Sequence, residues 1–176
     1  VLKGEFGNIH QYVTTSELME NNTLATLKIK NIVLKYSEEV KKIFAKNKIK
    51  YQAEYDFIVR NKKRNKFISK LAYSLKGNTV VIFRLVEKQG KPLYEMIKEL
   101  LKDSNRNVYF YYGDVDGKVR EEMREIIENE SDAIIIASLG CFSTGINIVN
   151  LKNLIFASPS KSRIKVLQSI GRILRK

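Results

Sequence analysis

From Thr79 onward, short continuous apolar runs alternate with stretches of helical spacing. Thr79-Val80-Val81-Ile82-Phe83, Asn107–Tyr112, Ala133–Ala137 and Asn153–Ala157 read as strands. The run at Thr79 is apolar without interruption, as a strand covered on both faces requires. Helices are predicted between the strands, from about Lys91 to Leu101 and from Asp116 or Gly117 to Glu128, with a last one after Pro159. Strand alternating with helix predicts an α/β fold, a parallel sheet flanked by helices and joined by right-handed crossovers. Ligands of such sheets sit at the carboxyl ends of the strands.

Before Thr79 the pattern is less regular. Phe6 to Val13 suits a short strand, and Thr15 or Ser16 is a candidate N-cap for a brief helix through Glu20. Asn21-Asn22 signals a turn. Leu24 to Tyr36 alternates in places and is expected to form a long strand. Ser37-Glu38-Glu39 opens a helix through about Lys46, and a second helical segment covers Tyr51–Val59. The basic cluster Asn61-Lys62-Lys63-Arg64-Asn65-Lys66 then precedes Phe67, Ile68, Leu71, Ala72 and Leu75 at helical spacing, with Gly77 closing that helix. Positive charge at a helix start opposes the dipole, so a nearby anion would relieve the conflict.

Composition narrows the function. The chain carries a net charge of +13, unevenly placed: residues 1–78 hold +9, residues 79–151 hold −3 and residues 152–176 hold +7. Basic ends around a mildly acidic middle fit a polyanion-facing surface. Cys141 is the only cysteine and His10 the only histidine. An intrachain disulfide, a His/Cys zinc site and a His-based triad are therefore excluded. No apolar run reaches the ~18–20 residues that cross a bilayer. Val1-Leu2-Lys3-Gly4 lacks the zones of a signal peptide and an initiator Met, and the expectation is a piece of a longer protein.

Candidate chemistry lies in the loops and in the final helix. There Gln168, Arg172 and Arg175 fall at i, i+4 and i+7 and share a face. Leu167, Ile170 and Leu174 form a separate apolar stripe, expected to bury itself against a core. Arginine suits phosphate, because its planar fork donates in parallel and stays charged. A surface helix with a basic last turn is the plainer reading of the same residues. Gly171 costs roughly 1 kcal/mol relative to Ala inside a helix, which suggests a close approach to its backbone. The segment Ala137–Asn147 follows a buried strand and carries two glycines and three hydroxyls, and it is expected to be a loop. Gly113-Asp114-Val115-Asp116-Gly117-Lys118-Val119 fails as a phosphate loop. It has three residues between its glycines instead of four, and valine where a Mg²⁺-binding hydroxyl belongs. No strand ends in paired acids, so the chain holds no complete ATPase site.

Gln168-x-x-Gly171-Arg172-x-x-Arg175 resembles motif VI of superfamily 2 helicases, and Ala137–Asn147 resembles their motif V, with Asn147 where Asp is commoner. Val80–Arg84 then takes the position of motif IV, and Tyr112-Gly113-Asp114 through Arg120 that of the next strand-end loop. Val13-Thr14-Thr15-Ser16, Arg64-Asn65-Lys66, Phe142–Ile146 and Val166 through Lys176 are more narrowly similar to UvsW-type recombination and repair helicases of T-even-like phages. That likeness covers nearly the whole chain.

The resemblance implies a RecA-like helicase C-terminal domain over residues 37–176, with residues 1–36 as a segment from the inter-domain linker side. It implies that Gln168, Arg172 and Arg175 meet the ATP γ-phosphate, one arginine acting as the finger, and that Gly145, Asn147 and Gly171 lie at the nucleotide. Arg84, Gly113, Ser138, Ser143 and Thr144 become the nucleic-acid contacts, and Lys63 and Arg64 join them through their charge. ATP is the implied cofactor, its Mg²⁺ bound by a first motor domain outside this chain. That domain and branched or single-stranded DNA are the implied partners, the setting is host cytoplasm, and no membrane is involved. The isolated chain is expected to hydrolyse no ATP. A stand-alone basic nucleic-acid-binding module, or a different nucleotide-binding α/β enzyme, remains the alternative.

Overall fold

The computed structural model describes residues 12–46, 51–113, 117–144, 148 and 150–174. The helices are α1 (Thr15–Glu20), α2 (Glu38–Lys46), α3 (Tyr51–Arg60), α4 (Lys62–Ser74), α5 (Lys91–Leu100), α6 (Gly117–Glu128), α7 (Leu139–Thr144) and α8 (Arg163–Ile173). The strands are β1 (Asn78–Phe83), β2 (Val108–Tyr111), β3 (Ile134–Ser138) and β4 (Leu151–Phe156). They form one four-stranded sheet in the order β2-β3-β1-β4, with each neighbouring pair parallel. The architecture is therefore the expected RecA-like one, a parallel sheet with flanking helices.

The two most apolar strands lie at the centre of the sheet. Every residue of β1 is buried, and four of the five in β3 are. The period of two along β1 divides its side chains between two cores. Val80 and Ile82 join Ile135, Ala137, Ile127 of α6 and Phe142 of α7 on one face. Val81 and Phe83 join Ile134, Ile136, Ile68 and Ala72 of α4, and Leu93 and Ile97 of α5 on the other. Burying a side chain of this size contributes roughly 1.5–3 kcal/mol, so the interior of the sheet carries most of the folding free energy.

Tight packing fixes two glycines. Gly77 turns the chain into β1 at φ +83°, a left-handed conformation that side chains other than glycine rarely adopt. Gly90 ends a π-helical turn over Val86–Gly90, and a Cβ there would lie 2.6 Å from the Phe83 ring. At the amino edge of the sheet, Arg106 is 8% exposed in its side chain and donates to the carbonyls of Ala72, Tyr73, Gly77 and Asp132. It thereby joins the end of α4, the entry to β1 and the entry to β3.

Three expectations are corrected here. The long strand over Leu24–Tyr36 is absent, and residues 25–37 lie in neither a strand nor a helix. Ile29, Ile32 and Val33 are 66%, 52% and 80% exposed, so the alternation has no sheet to lie on. The start of this segment is tied to the end of α8, where Ala25 N–H donates to the Leu174 carbonyl at 3.0 Å, and its end packs by the Tyr36 ring on Phe57. The N-cap of α1 is Thr14, not Thr15 or Ser16, because Glu17 at the third helical position completes a capping box with it. The first part of Ala137–Asn147 is the helix α7 instead of a loop, and Leu139 and Phe142 turn one face of it into the core. The strand expected from Phe6 lies outside the described residues except at Tyr12 and Val13, which are not in a strand.

Candidate nucleotide and nucleic-acid interface

Parallel pairing places the strand exits on one edge. β1 leads to Arg84, β2 to Tyr112 and Gly113, β3 ends at Ser138, and β4 leads to Ser158. A buried relay fixes the first and last of these exits. Arg84 N–H donates to Ser158 Oγ at 3.0 Å, Ser158 Oγ donates to Gln89 Oε1, and Gln89 Nε2 donates to the Ala157 carbonyl at 2.8 Å. Gln89 is fully buried, and these partners offset the desolvation of its amide. Sequence reasoning missed Gln89 and Ser158, because no local pattern announces bonds spanning 68 to 74 positions.

Around β3, Ser138 Oγ accepts from Cys141 N–H at 3.4 Å, a long bond at the start of α7. A Cβ on Gly113 would meet Cys141 Sγ at 3.8 Å, so the exits of β2 and β3 adjoin α7. Of Ser143 and Thr144 only the backbone is described, in α7; Gly145, Asn147 and Arg175 lie outside the described residues.

Helix α8 packs on α7 and β4. It is rotated relative to the stripe expected from sequence. Ser169 is fully buried and Leu174 is buried, whereas Leu167 is 54% exposed. Ser169 can go inside because its hydroxyl donates to the Lys165 carbonyl at 2.8 Å, within its own helix. Arg172 is half-buried, with its guanidinium 5.9 Å from the centroid of the buried Phe142 ring, a cation–π arrangement. Gln168, one turn earlier, is exposed. A Cβ on exposed Gly171 would meet nothing within 4 Å. The close approach expected there does not come from within the described chain.

The basic cluster divides. Lys63 is exposed, whereas Arg64 is half-buried and meets no carboxylate among the described residues. Arg64 N–H donates to Asn61 Oδ1 at 3.0 Å, which starts α4. Burial holds the Arg64 guanidinium below its ordinary pKa, and the phenols of Tyr36 and Tyr55 oppose that shift. Arg64 lines a cleft of about 330 Å³ with Phe156, Ser158, Pro159, Ser160 and Val166. The structure thus brings Arg64 to the exits of β1 and β4, beside the loop that Arg84 helps to hold.

Among the described residues, no group of three or more His, Cys, Asp or Glu is placed to hold a metal ion, and no helix is long and apolar enough to cross a membrane. Gln168 and Arg172 on α8 carry side chains that can donate hydrogen bonds to an anion.

Comparison with known proteins gives these features a family. The chain is 42% identical over 177 residues to the ATP-dependent DNA helicase UvsW of Enterobacteria phage T4, a match covering 98% of this chain and 34% of that protein. The crystal structure of T4 UvsW matches with a TM-score of 0.61 at 39% identity, over 75% of this chain and 26% of that one. The chain therefore spans about a third of the length of the relative. Residues 62–176, which include the whole sheet and α8, match the helicase conserved C-terminal domain, and the chain belongs to that family.

Proposed function

We propose that the chain is the second motor domain of an ATP-dependent DNA helicase, with residues 1–36 leading in from the inter-domain linker and residues 37–176 forming the motor fold. The observation that carries this reading is the placement of Gln168 and Arg172 on α8 where it packs against α7. Arg172 stands over the Phe142 ring of α7, and α7 begins directly after Ser138 at the exit of β3. ATP, bound with Mg²⁺ on a first motor domain, supplies the phosphoryl group to be transferred. Gln168, Arg172 and Arg175 are its donors from this side, and the Phe142 ring limits where the Arg172 fork can point. Gly171, Gly145 and Asn147 are the chain's nucleotide contacts in this reading, and a Cβ on Gly171 would meet nothing within 4 Å.

Arg84, Gly113, Ser138, Ser143 and Thr144, with Lys63 and Arg64, hold the nucleic-acid backbone. Dividing the catalytic site between two domains couples hydrolysis to closure, and closure to movement along the strand. The name of the T4 relative, a DNA helicase, supports DNA as the nucleic acid, and the work proposed is unwinding or remodelling of branched DNA in recombination, repair or replication.

The test is ATP turnover by this chain alone and by the chain joined to its upstream motor domain, with and without forked DNA. The chain alone should turn over no ATP. The joined protein should be stimulated by DNA and lose roughly 10³-fold or more on Arg172→Ala, the scale of an arginine finger. Turnover by the chain alone that survives both Arg172→Ala and Arg175→Ala sinks the motor reading.

A further inference from the structure

A groove of about 570 Å³ runs between residues 34–37, α2, α3 and the first turns of α4. Its apolar lining is Leu34, Val40, Phe57 and Phe67. Leu34 and Phe67 are 38% and 39% exposed, and exposed Ile32 and Val33 lie just before Leu34 in the chain. The charged lining is Lys35, Lys62, Lys63 and Arg64, with no Asp or Glu among the described lining residues. Arg64 Nη1 is buried without a hydrogen-bond partner. Glu38, which follows Ser37 of the lining, already pairs with Lys41 at 2.6 Å. Lys66 and Lys70 extend the positive charge along α4, which contains no carboxylate. An apolar groove rimmed by one sign of charge is selective, because it admits apolar side chains best on a carrier of the opposite sign.

We infer that this groove docks an acidic amphipathic segment of a separate protein. The apolar side chains of the segment cover Leu34, Val40 and Phe67, and its carboxylates meet Lys35, Lys62, Lys63 and the unpartnered Nη1 of Arg64. A nucleic acid fits the same lining less well. Phosphates gain nothing from aliphatic side chains, and a stacked base needs an open ring face. Phe57 packs with Tyr36 at 5.4 Å and with Phe44 at 4.9 Å, both edge-on at 62°, so these three rings pack on one another instead of presenting a stacking platform. None of the described lining residues lies on α7 or α8, the elements that the motor reading turns toward a first motor domain. The choice of a separate protein rests on that reading. Lys63 and Arg64 are shared with the nucleic-acid contacts proposed above, so a docked segment competes with DNA for them. Lys35, Lys62 and Phe67 serve the groove alone.

The experiment is fluorescence anisotropy of a labelled synthetic peptide with the full 176-residue chain. The probe is a helix-forming peptide rich in Asp and Glu, with leucines spaced along one face. It should bind, and Phe67→Ala should weaken it about tenfold while oligothymidylate affinity stays unchanged. Lys62→Glu should weaken it about fivefold. An acid in the first turn of α4 suits the helix dipole, so the urea midpoint of Lys62→Glu should not fall, which separates lost docking from lost folding. Equal binding of a peptide with its leucines replaced by serine, or unchanged affinity in Phe67→Ala, overturns the proposal and leaves only a general basic field. Oligothymidylate affinity that falls with Phe67→Ala as far as peptide affinity makes the groove a nucleic-acid surface and overturns it as well. The chain joined to its upstream motor domain provides the last arm. If the peptide binds the chain alone but not the joined protein, the first domain covers the groove; the separate partner is then wrong and the motor reading stands.

Discussion

Replacing Arg106 tests how the amino edge of the sheet is held. Its fork donates from Nε to the Asp132 carbonyl at 3.1 Å and from Nη1 to those of Ala72 and Tyr73 at 3.3 and 3.1 Å. From Nη2 it reaches the Gly77 carbonyl at 3.0 Å and Thr79 Oγ1 at 3.3 Å. Asp132 lies 3.2 Å away, but it is 53% exposed and its share of the ion pair is small. Hydrogen bonds from a charged donor contribute about 1.5–3 kcal/mol each, less when they share one group. Water can reach the Tyr73 carbonyl once the side chain is gone, which lowers the sum further. Arg106→Ala should therefore cost about 3–4 kcal/mol, a large part of the roughly 5–15 kcal/mol that stabilises a domain. Arg106→Lys keeps the charge and loses the fork, and should cost about half as much. Urea unfolding followed by far-ultraviolet circular dichroism measures both. A loss under about 1 kcal/mol for alanine, or lysine equal to arginine, refutes the account. Folded Arg106→Lys should bind DNA as the unsubstituted chain does, because Arg106 lies at the opposite end of the strands.

Gln89→Leu removes the buried amide and leaves Ser158 Oγ and the Ala157 carbonyl without it, so stability should fall by about 2–3 kcal/mol. DNA affinity should fall with it because Arg84 loses its support; an unchanged affinity in folded protein would show that the relay does not position that residue. The Tyr109 phenol is pushed up to about 12, mainly by burial and then by its bond to Glu130. A raised phenol stabilises the fold fully below its ordinary pKa near 10, and that contribution is lost as pH rises from 10 through 12. Urea midpoints of the unsubstituted chain should drop more steeply than those of Tyr109→Phe over that window, and parallel curves would contradict the assignment.

The centre of the sheet was legible because its residues obey one local rule. Thr79–Phe83 and Ala133–Ala137 are apolar without a break, and only a strand covered on both faces uses such a run. Leu24–Tyr36 misled for the complementary reason: alternation shows that a segment could pair, not that a partner strand exists. The motif helix was placed correctly but turned about its axis. Ser169 reads as an outward residue unless its bond to the Lys165 carbonyl is known, and Leu167 reads as an inward one. That Gly113, Ser138 and Arg84 stand at the ends of strands could be read from the sequence. Gln89 and Ser158 could not, since their partners are remote in sequence. The special status of Arg64 among the lysines was equally hidden, because a run of basic residues does not reveal which one the fold encloses.

The bond from Ala25 to Leu174 joins the incoming polypeptide to the last turn of α8, where a carbonyl would otherwise lack a donor. That bond fixes the position of Ala25 against the C-terminal end of the helix bearing Gln168 and Arg172, so the course of the chain before Ser37 and the seating of that helix are set together.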